Sequence, residues 1–197
     1  MESIVEAVKL ASQLHSHQRK KKPIVPGIPY MGHLLEVAGI VQASGGDETA
    51  VAAALLHDAI EDQGIAARGQ IREKLGQHVL DIIEGCTESE TFPKPPWRER
   101  KEAYFKLVEM ASVPVLLVMV ADKLQNGRAL LRRLKLKGAE GWGKPNREEK
   151  LWYLQILLEV MRSRLMQLEQ ETDHPTLVSI RLLLEEYAEV VAALADY

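Results

Sequence analysis

Four side chains able to bind a metal ion or move a proton crowd one short string, Leu55-Leu56-His57-Asp58-Ala59-Ile60-Glu61-Asp62. On a helix, His57 and Glu61 are one turn apart, as are Asp58 and Asp62, and Asp58 also neighbours Glu61. The spacing therefore predicts His57, Asp58, Glu61 and Asp62 on one sector of a single helix. Three carboxylates that close repel one another unless a cation compensates them. The preceding run, Val51 to Leu56, is wholly apolar, so this helix is expected to be buried up to the point where the acids begin. A purely structural segment would not place acids there, and the string reads as a metal or catalytic site.

A further acid stands in an equally costly place. Asp122 follows the predominantly apolar run Val113 to Ala121, and burying its charge is expensive unless it meets a cation. A salt bridge to a neighbouring Lys or Arg is the alternative reading. His33 follows Pro29-Tyr30 at the start of a predicted helix whose Val37, Ile40 and Val41 direct it inward; a lone inward histidine is more often a hydrogen-bonded core residue. Two imidazoles and two carboxylates suit one first-row divalent ion with positions left for water and substrate. Manganese, iron and zinc are all possible, and mixed nitrogen and oxygen ligation without thiolate favours manganese over a structural zinc. Such an ion polarises a phosphoryl oxygen and lowers the pKa of a bound water. Glu61 and Asp62 would then orient that water or shuttle its proton.

The elements that must position these groups read as helices throughout. Ser3 with Glu6 forms a capping-box pattern opening a helix that carries Ile4, Val8, Ala11 and His15 at helical spacing. Lys20 to Pro29 is a loop, a second helix runs from about Tyr30 to Ala43, and Gly45-Gly46 ends it. Asp47 starts the helix carrying the opening string. Short helices follow over Arg68 to Leu75 and His78 to Ile83. Glu88 to Pro96 is an acidic, then proline-rich loop, and Pro96-Trp97 begins the next helix. From Val115 a helix continues to about Leu136, glycines and Pro145 mark a loop, and two final helices cover Arg147 to Leu168 and Pro175 to Ala195. There is no β alternation, repeat or linker. The expected fold is an all-α bundle of roughly eight to ten helices, one domain over 1–197.

Bulk composition narrows the classes. The chain has 197 residues, 46% hydrophobic and 27% charged, enough for one well-cored globular domain. A formal charge of −3 gives no general pull on nucleic acid. The single cysteine, Cys86, excludes an internal disulfide or a cysteine-rich zinc site and fits a reducing cytoplasm. The start, Met1-Glu2-Ser3, lacks the pattern of a signal peptide, and the longest apolar run is far short of a membrane span. A cytoplasmic protein without membrane or nucleic-acid partners is expected. Phe and Tyr together number seven, so the core must be mainly aliphatic.

His33, His57-Asp58 and Asp122 stand in the order H…HD…D, and this pattern resembles that of the HD-domain metal-dependent phosphohydrolases. The likeness extends to Ala11…His15-x-x-Gln18, the lysine cluster, Pro29-Tyr30-x-x-His33, Ala54-Leu55-Leu56-His57-Asp58-x-x-Glu61-Asp62 and Ala121-Asp122-Lys123-Leu124-x-Asn126-x-Arg128. Together these look like the hydrolase domain of RelA/SpoT enzymes, over about residues 3 to 160, and the chain is similar to stand-alone small alarmone hydrolases. The resemblance implies removal of the 3′-pyrophosphate from a (p)ppGpp-like guanosine or adenosine nucleotide with one divalent metal, most simply Mn²⁺. It implies His33, His57, Asp58 and Asp122 as ligands and Glu61 and Asp62 as activators of the water. Substrate contacts would come from Lys123 and Asn126, from Tyr30 shaping the pocket, and from Arg100 and Lys101 in a segment resembling the family's basic helix.

Departures from the pattern bear on the base rather than on the chemistry. Where the family carries an Arg-Lys pair whose arginine stacks on the nucleotide base, this chain has Lys20-Lys21, with Arg19 one place early. A lysine ammonium does not replace a stacking guanidinium. Ala59 and Gln63 stand where Thr is common, and Ala129 where a polar residue is frequent. His15 reads as a helix-packing hydrogen bond, and His17, His78 and His174 as surface residues. Two rivals remain at this level: an HD nucleotidase cleaving another nucleotide, and a non-catalytic HD module that binds a ligand.

Overall fold

Apolar residues on every side of Val51–Leu56 leave that segment only the interior to occupy. The computed structural model, which describes residues 1–20, 26–89, 91 and 93–197, places it there. The chain folds as α1 (Glu2–Leu14), α2 (Met31–Ala43), α3 (Glu48–Leu56), α4 (Ala59–Gln63), α5 (Ile65–Leu75) and α6 (Gln77–Cys86). These are followed by α7 (Trp97–Glu109), α8 (Val113–Lys137), a 3-10 turn (Gly138–Trp142), α9 (Arg147–Glu171) and α10 (Thr176–Ala195). Among the described residues the only β pairing is an isolated bridge between Arg19 and Pro29. The fold is the expected all-α bundle. No helix among those residues is long and apolar enough to cross a membrane.

Asp47 starts α3 as its side chain predicts, accepting a hydrogen bond from the Ala50 amide at 2.8 Å. All of Ala50 to Leu56 is buried, with α1, α2, α6 and α8 packed around it. Complete burial contributes roughly 1.5–3 kcal/mol for each of Leu55 and Leu56. The other central element is α8, which packs against α2, α3, α6, α9 and α10. Pro114 is tolerated in its first turn, where the missing N–H would have no helical partner. Lys135 and Lys137 lie in its last turn, at the negative end of the helix dipole. The turn from α2 to α3 is tight. A Cβ on Gly46 would stand 2.8 Å from the Val41 carbonyl oxygen and 2.6 Å from Val41 Cγ1, so only glycine lets the two helices meet there.

Two local expectations are corrected. The Ser3/Glu6 capping box does not form. Ser3 lies inside α1, which starts at Glu2 without a side-chain cap, and the Ser3 amide donates to Glu48 Oε1 at 3.1 Å; a carboxylate from α3 does the work assigned to Ser3. The helix of the opening string is also not continuous. His57 and Asp58 keep right-handed torsions, yet the ladder lapses between α3 and α4. The Ala54 carbonyl, which an unbroken helix would offer to the Asp58 amide, faces the His57 ring Nδ1 at 2.8 Å. The ladder resumes from the Asp62 amide to the Asp58 carbonyl at 2.9 Å.

Candidate metal and active site

The α3–α4 break brings His57 and Asp58 to the middle of α8 and the first turn of α2. His33 Nε2 lies 3.3 Å from Asp122 Oδ1 and 3.6 Å from Asp58 Oδ2. His57 Nε2 lies 3.2 Å from Asp58 Oδ2 and 3.6 Å from Asp122 Oδ1. The two ring nitrogens and Asp58 thus form one cluster, and Asp122 Oδ1 lies within 3.6 Å of both nitrogens.

Each imidazole is held from behind. The Ala54 carbonyl can only accept, so His57 Nδ1 carries a proton and, in the neutral ring, Nε2 presents the lone pair. For His33 the fixing group is Gln125, whose Nε2 donates to Glu36 Oε2 at 2.5 Å. That carboxylate forces the amide oxygen toward His33 Nδ1, 2.6 Å away, which must carry the proton. Both Nε2 atoms are buried and have no hydrogen-bond partner. Buried nitrogens left unpaired are costly, and a cation removes that cost. Donors about 2.1 Å from a common ion lie about 3 Å or slightly more apart, so the 3.2–3.6 Å separations fit one ion. The residues fit a divalent metal.

Electrostatics point the same way. Burial opposes charge on His33 and His57, but Asp58 and Asp122 outweigh it and hold both imidazoles above the ordinary histidine range. Burial likewise opposes ionisation of the two acids. His57 and His33 overcome it at Asp58, and Lys123 with the two histidines at Asp122, so both carboxyls lie well below their usual range. Neighbouring donors also engage both carboxylates. Tyr30 Oη donates to Asp58 Oδ2, while Asp122 accepts from Lys123 Nζ and from Asn126 Nδ2, each at 2.6 Å. The salt bridge weighed as an alternative for Asp122 thus coexists with the cluster.

The acids of α4 diverge. Glu61 Oε1 pairs with Lys94 Nζ at 2.6 Å, and Asp62 Oδ2 accepts from Gln18 Nε2 at 2.6 Å. The mutual repulsion expected of these carboxylates is relieved separately for each. Glu61 shares with His57, Asp58, Asp122 and Lys123 a small cavity of 30 Å³. A wider cleft of 240 Å³ adjoins it, lined by Trp97, Lys101, Lys123, Asn126, Lys150 and Tyr153 among others.

Of the remaining predicted contacts among the described residues, only Lys101 lines this cleft. With Arg100 it makes ion pairs to Glu88, whose carboxyl the cations hold low against burial. Arg19 is exposed and turns back onto the Ser16 and Gln18 carbonyls at 3.1 Å. Lys20 is partly buried, which disfavours its charge while Glu36 supports it. Lys21 lies outside the described residues. Sequence reasoning gave no role to Gln18, Glu36, Glu88, Lys94 or Gln125. Two signals were available: Gln18 stands in the quoted motif His15-x-x-Gln18, and Gln125 lies one turn after Asp122.

Comparison with known proteins now bears on these positions. The HD domain family matches residues 7–140, and over 173 residues the chain is 35% identical to the guanosine-3′,5′-bis(diphosphate) 3′-pyrophosphohydrolase MESH1 of Xenopus tropicalis, spanning 87% of this chain and 91% of that one. The chain belongs to the HD-domain family, among its RelA/SpoT-like hydrolases. The human MESH1 is 31% identical over the same shares of each chain. The crystal structure of a protein from Listeria monocytogenes EGD-e superposes with a TM-score of 0.66 at 30% identity, over 85% of this chain and 98% of that one. A metazoan ortholog of SpoT shares the fold, with a TM-score of 0.70 at 24% identity over 94% and 95% of the two chains. The family implies a divalent metal, and the cluster of His33, His57 and Asp58 fits one.

Proposed function

We propose that this protein is a 3′-pyrophosphohydrolase acting on a (p)ppGpp-like guanosine or adenosine nucleotide, with residues 1–197 working as one HD domain. The carrying observation is the pair of buried, unpartnered Nε2 atoms facing Asp58 and Asp122 beside Glu61. The relatives named as guanosine-3′,5′-bis(diphosphate) 3′-pyrophosphohydrolases support the substrate class.

His33, His57, Asp58 and Asp122 would hold one divalent ion, with Mn²⁺ favoured by a donor set of two nitrogens and two oxygens. When bound, the ion polarises a phosphoryl oxygen and makes hydroxide available near neutrality. The residues around it do the rest. Glu61 and Asp62 orient the water and take its proton. The water oxygen bonds to the phosphorus attached at O3′, the P–O3′ bond breaks, and the ribose oxygen takes up a proton as pyrophosphate leaves. Lys101 and Lys123 line the adjoining cleft and offset the charge of the phosphates. Tyr30 shapes the near wall, Asn126 faces the ribose, and Arg100 stiffens Lys101 through their shared Glu88. Arg19, Lys20 and Lys21 would supply contacts to the nucleotide. The substrate is a small molecule, no nucleic acid or membrane is involved, and the setting is cytoplasmic.

The test is incubation with Mn²⁺ and guanosine or adenosine 3′,5′-bis(diphosphate), with products separated by chromatography. Equimolar pyrophosphate and nucleoside 5′-diphosphate are expected. Release of orthophosphate in place of pyrophosphate would favour a nucleotidase, and no turnover with no bound metal would favour a non-catalytic module.

A further inference from the structure

The end of α1 carries a second relay. The chain turns after α1 with the Gln18 amide donating to the His15 carbonyl at 3.0 Å, and the Tyr30 amide donating to the Gln18 carbonyl at 3.1 Å. These bonds grip the Gln18 backbone from both sides and aim its side chain at α4. There Gln18 Nε2 donates to Asp62 Oδ2 at 2.6 Å, and a carboxylate can only accept, so the amide orientation is set. Gln18 Oε1 then faces His15 Nδ1 at 2.7 Å, with Gln63 Nε2 more distant at 3.4 Å. The His15 proton must be on Nδ1.

His15 is 3% exposed, its ring lies 5.7 Å from that of Tyr30, and its Nε2 is buried without a hydrogen-bond partner. A residue needed only for packing would be apolar, because an orphaned ring nitrogen costs stability. Among the described residues the one hydrogen bond of this imidazole is the one to Gln18. We infer that His15 is a positioning residue: it locks the Gln18 amide, which pins Oδ2 of Asp62 and leaves Oδ1 as the oxygen that takes the proton of the attacking water. This rests on the proposed role of Asp62. A flipped Gln18 would turn its carbonyl oxygen on the carboxylate and release that side chain.

The test compares His15→Leu, Gln18→Leu and His15→Asn, whose amide nitrogen stands where Nδ1 stood. In the Mn²⁺-loaded protein, His15→Leu and Gln18→Leu should lower kcat for pyrophosphate release roughly 10–100-fold. KM and bound Mn²⁺ per chain should be unchanged, and His15→Asn should recover most of the loss. Gln18→Leu, at a half-buried loop position, keeps the comparison open if His15→Leu does not fold. A parent-like kcat in Gln18→Leu, a loss confined to KM, or His15→Asn no better than His15→Leu overturns the inference. The tautomer is read independently of turnover from the ¹⁵N shifts of the His15 ring: Nδ1–H is expected, and Nε2–H overturns the inference. A parent that releases no pyrophosphate while showing Nδ1–H refutes the proposed function and supports the relay itself.

Discussion

Gln125→Leu probes the metal site without touching a proposed ligand. Gln125 is 1% exposed and His33 2%, and leucine has nearly the same volume, so no sizeable cavity opens. What is lost is the acceptor for His33 Nδ1, 2.6 Å from Gln125 Oε1. A buried donor left unmade costs about 1–3 kcal/mol, whereas Glu36, with its side chain about half exposed, returns to water at little cost. His33 has an escape in the metal-free protein: the neutral ring can keep its proton on Nε2, which faces Asp122 Oδ1 at 3.3 Å. That escape consumes the lone pair a cation needs. The stability loss should therefore lie at the low end of the range, and the main penalty should fall on metal binding. An outer partner of a histidine ligand is worth about 10–100-fold in affinity, or about 1.4–2.8 kcal/mol. Calorimetric titration of Mn²⁺ into the metal-free variant measures the affinity, and thermal unfolding measures stability. A folded Gln125→Leu that binds Mn²⁺ within about twofold of the parent would refute the tautomer argument.

Other outcomes follow from the same geometry. Glu61→Gln should keep its metal and lose most pyrophosphate release, since the amide cannot take a proton; parent-like kcat would remove Glu61 from the mechanism. The raised values of His33 and His57 mean that a cation must displace protons, so Mn²⁺ affinity should fall as pH drops through those values, by about one decade per pH unit for each proton displaced. Without metal the sign reverses: raised imidazoles stabilise the fold below the unfolded histidine value of about 6.5 and cease to do so as pH rises through their folded values. Titrations and melts across pH check both, and a pH-independent affinity contradicts the first. Gly46→Ala should destabilise by about 1–3 kcal/mol, because the new Cβ meets a Val41 backbone oxygen that cannot swing aside; an unchanged urea midpoint would contradict this.

The parts of this molecule legible from sequence are those in which one side-chain type dictates its own surroundings. The apolar run of α3 demanded burial, Asp47 announced its cap, and Asp122 after nine mostly apolar residues demanded a counter-charge. Features made by two distant partners were not legible. Gln125 and His33 are 92 residues apart, Gln18 and Asp62 44, Lys94 and Glu61 33. A glutamine signals nothing about its partner until the fold supplies one. The α3–α4 break was invisible for a related reason: His57 and Asp58 are compatible with a helix, and the interruption depends on where one imidazole donates its proton.

The most direct check is a crystal structure grown with Mn²⁺, with anomalous scattering recorded at the manganese edge. One peak is predicted within bonding distance of His33 Nε2, His57 Nε2, Asp58 and Asp122. A metal-loaded crystal with no peak there, or with His33 or Asp122 turned away from it, would contradict the account.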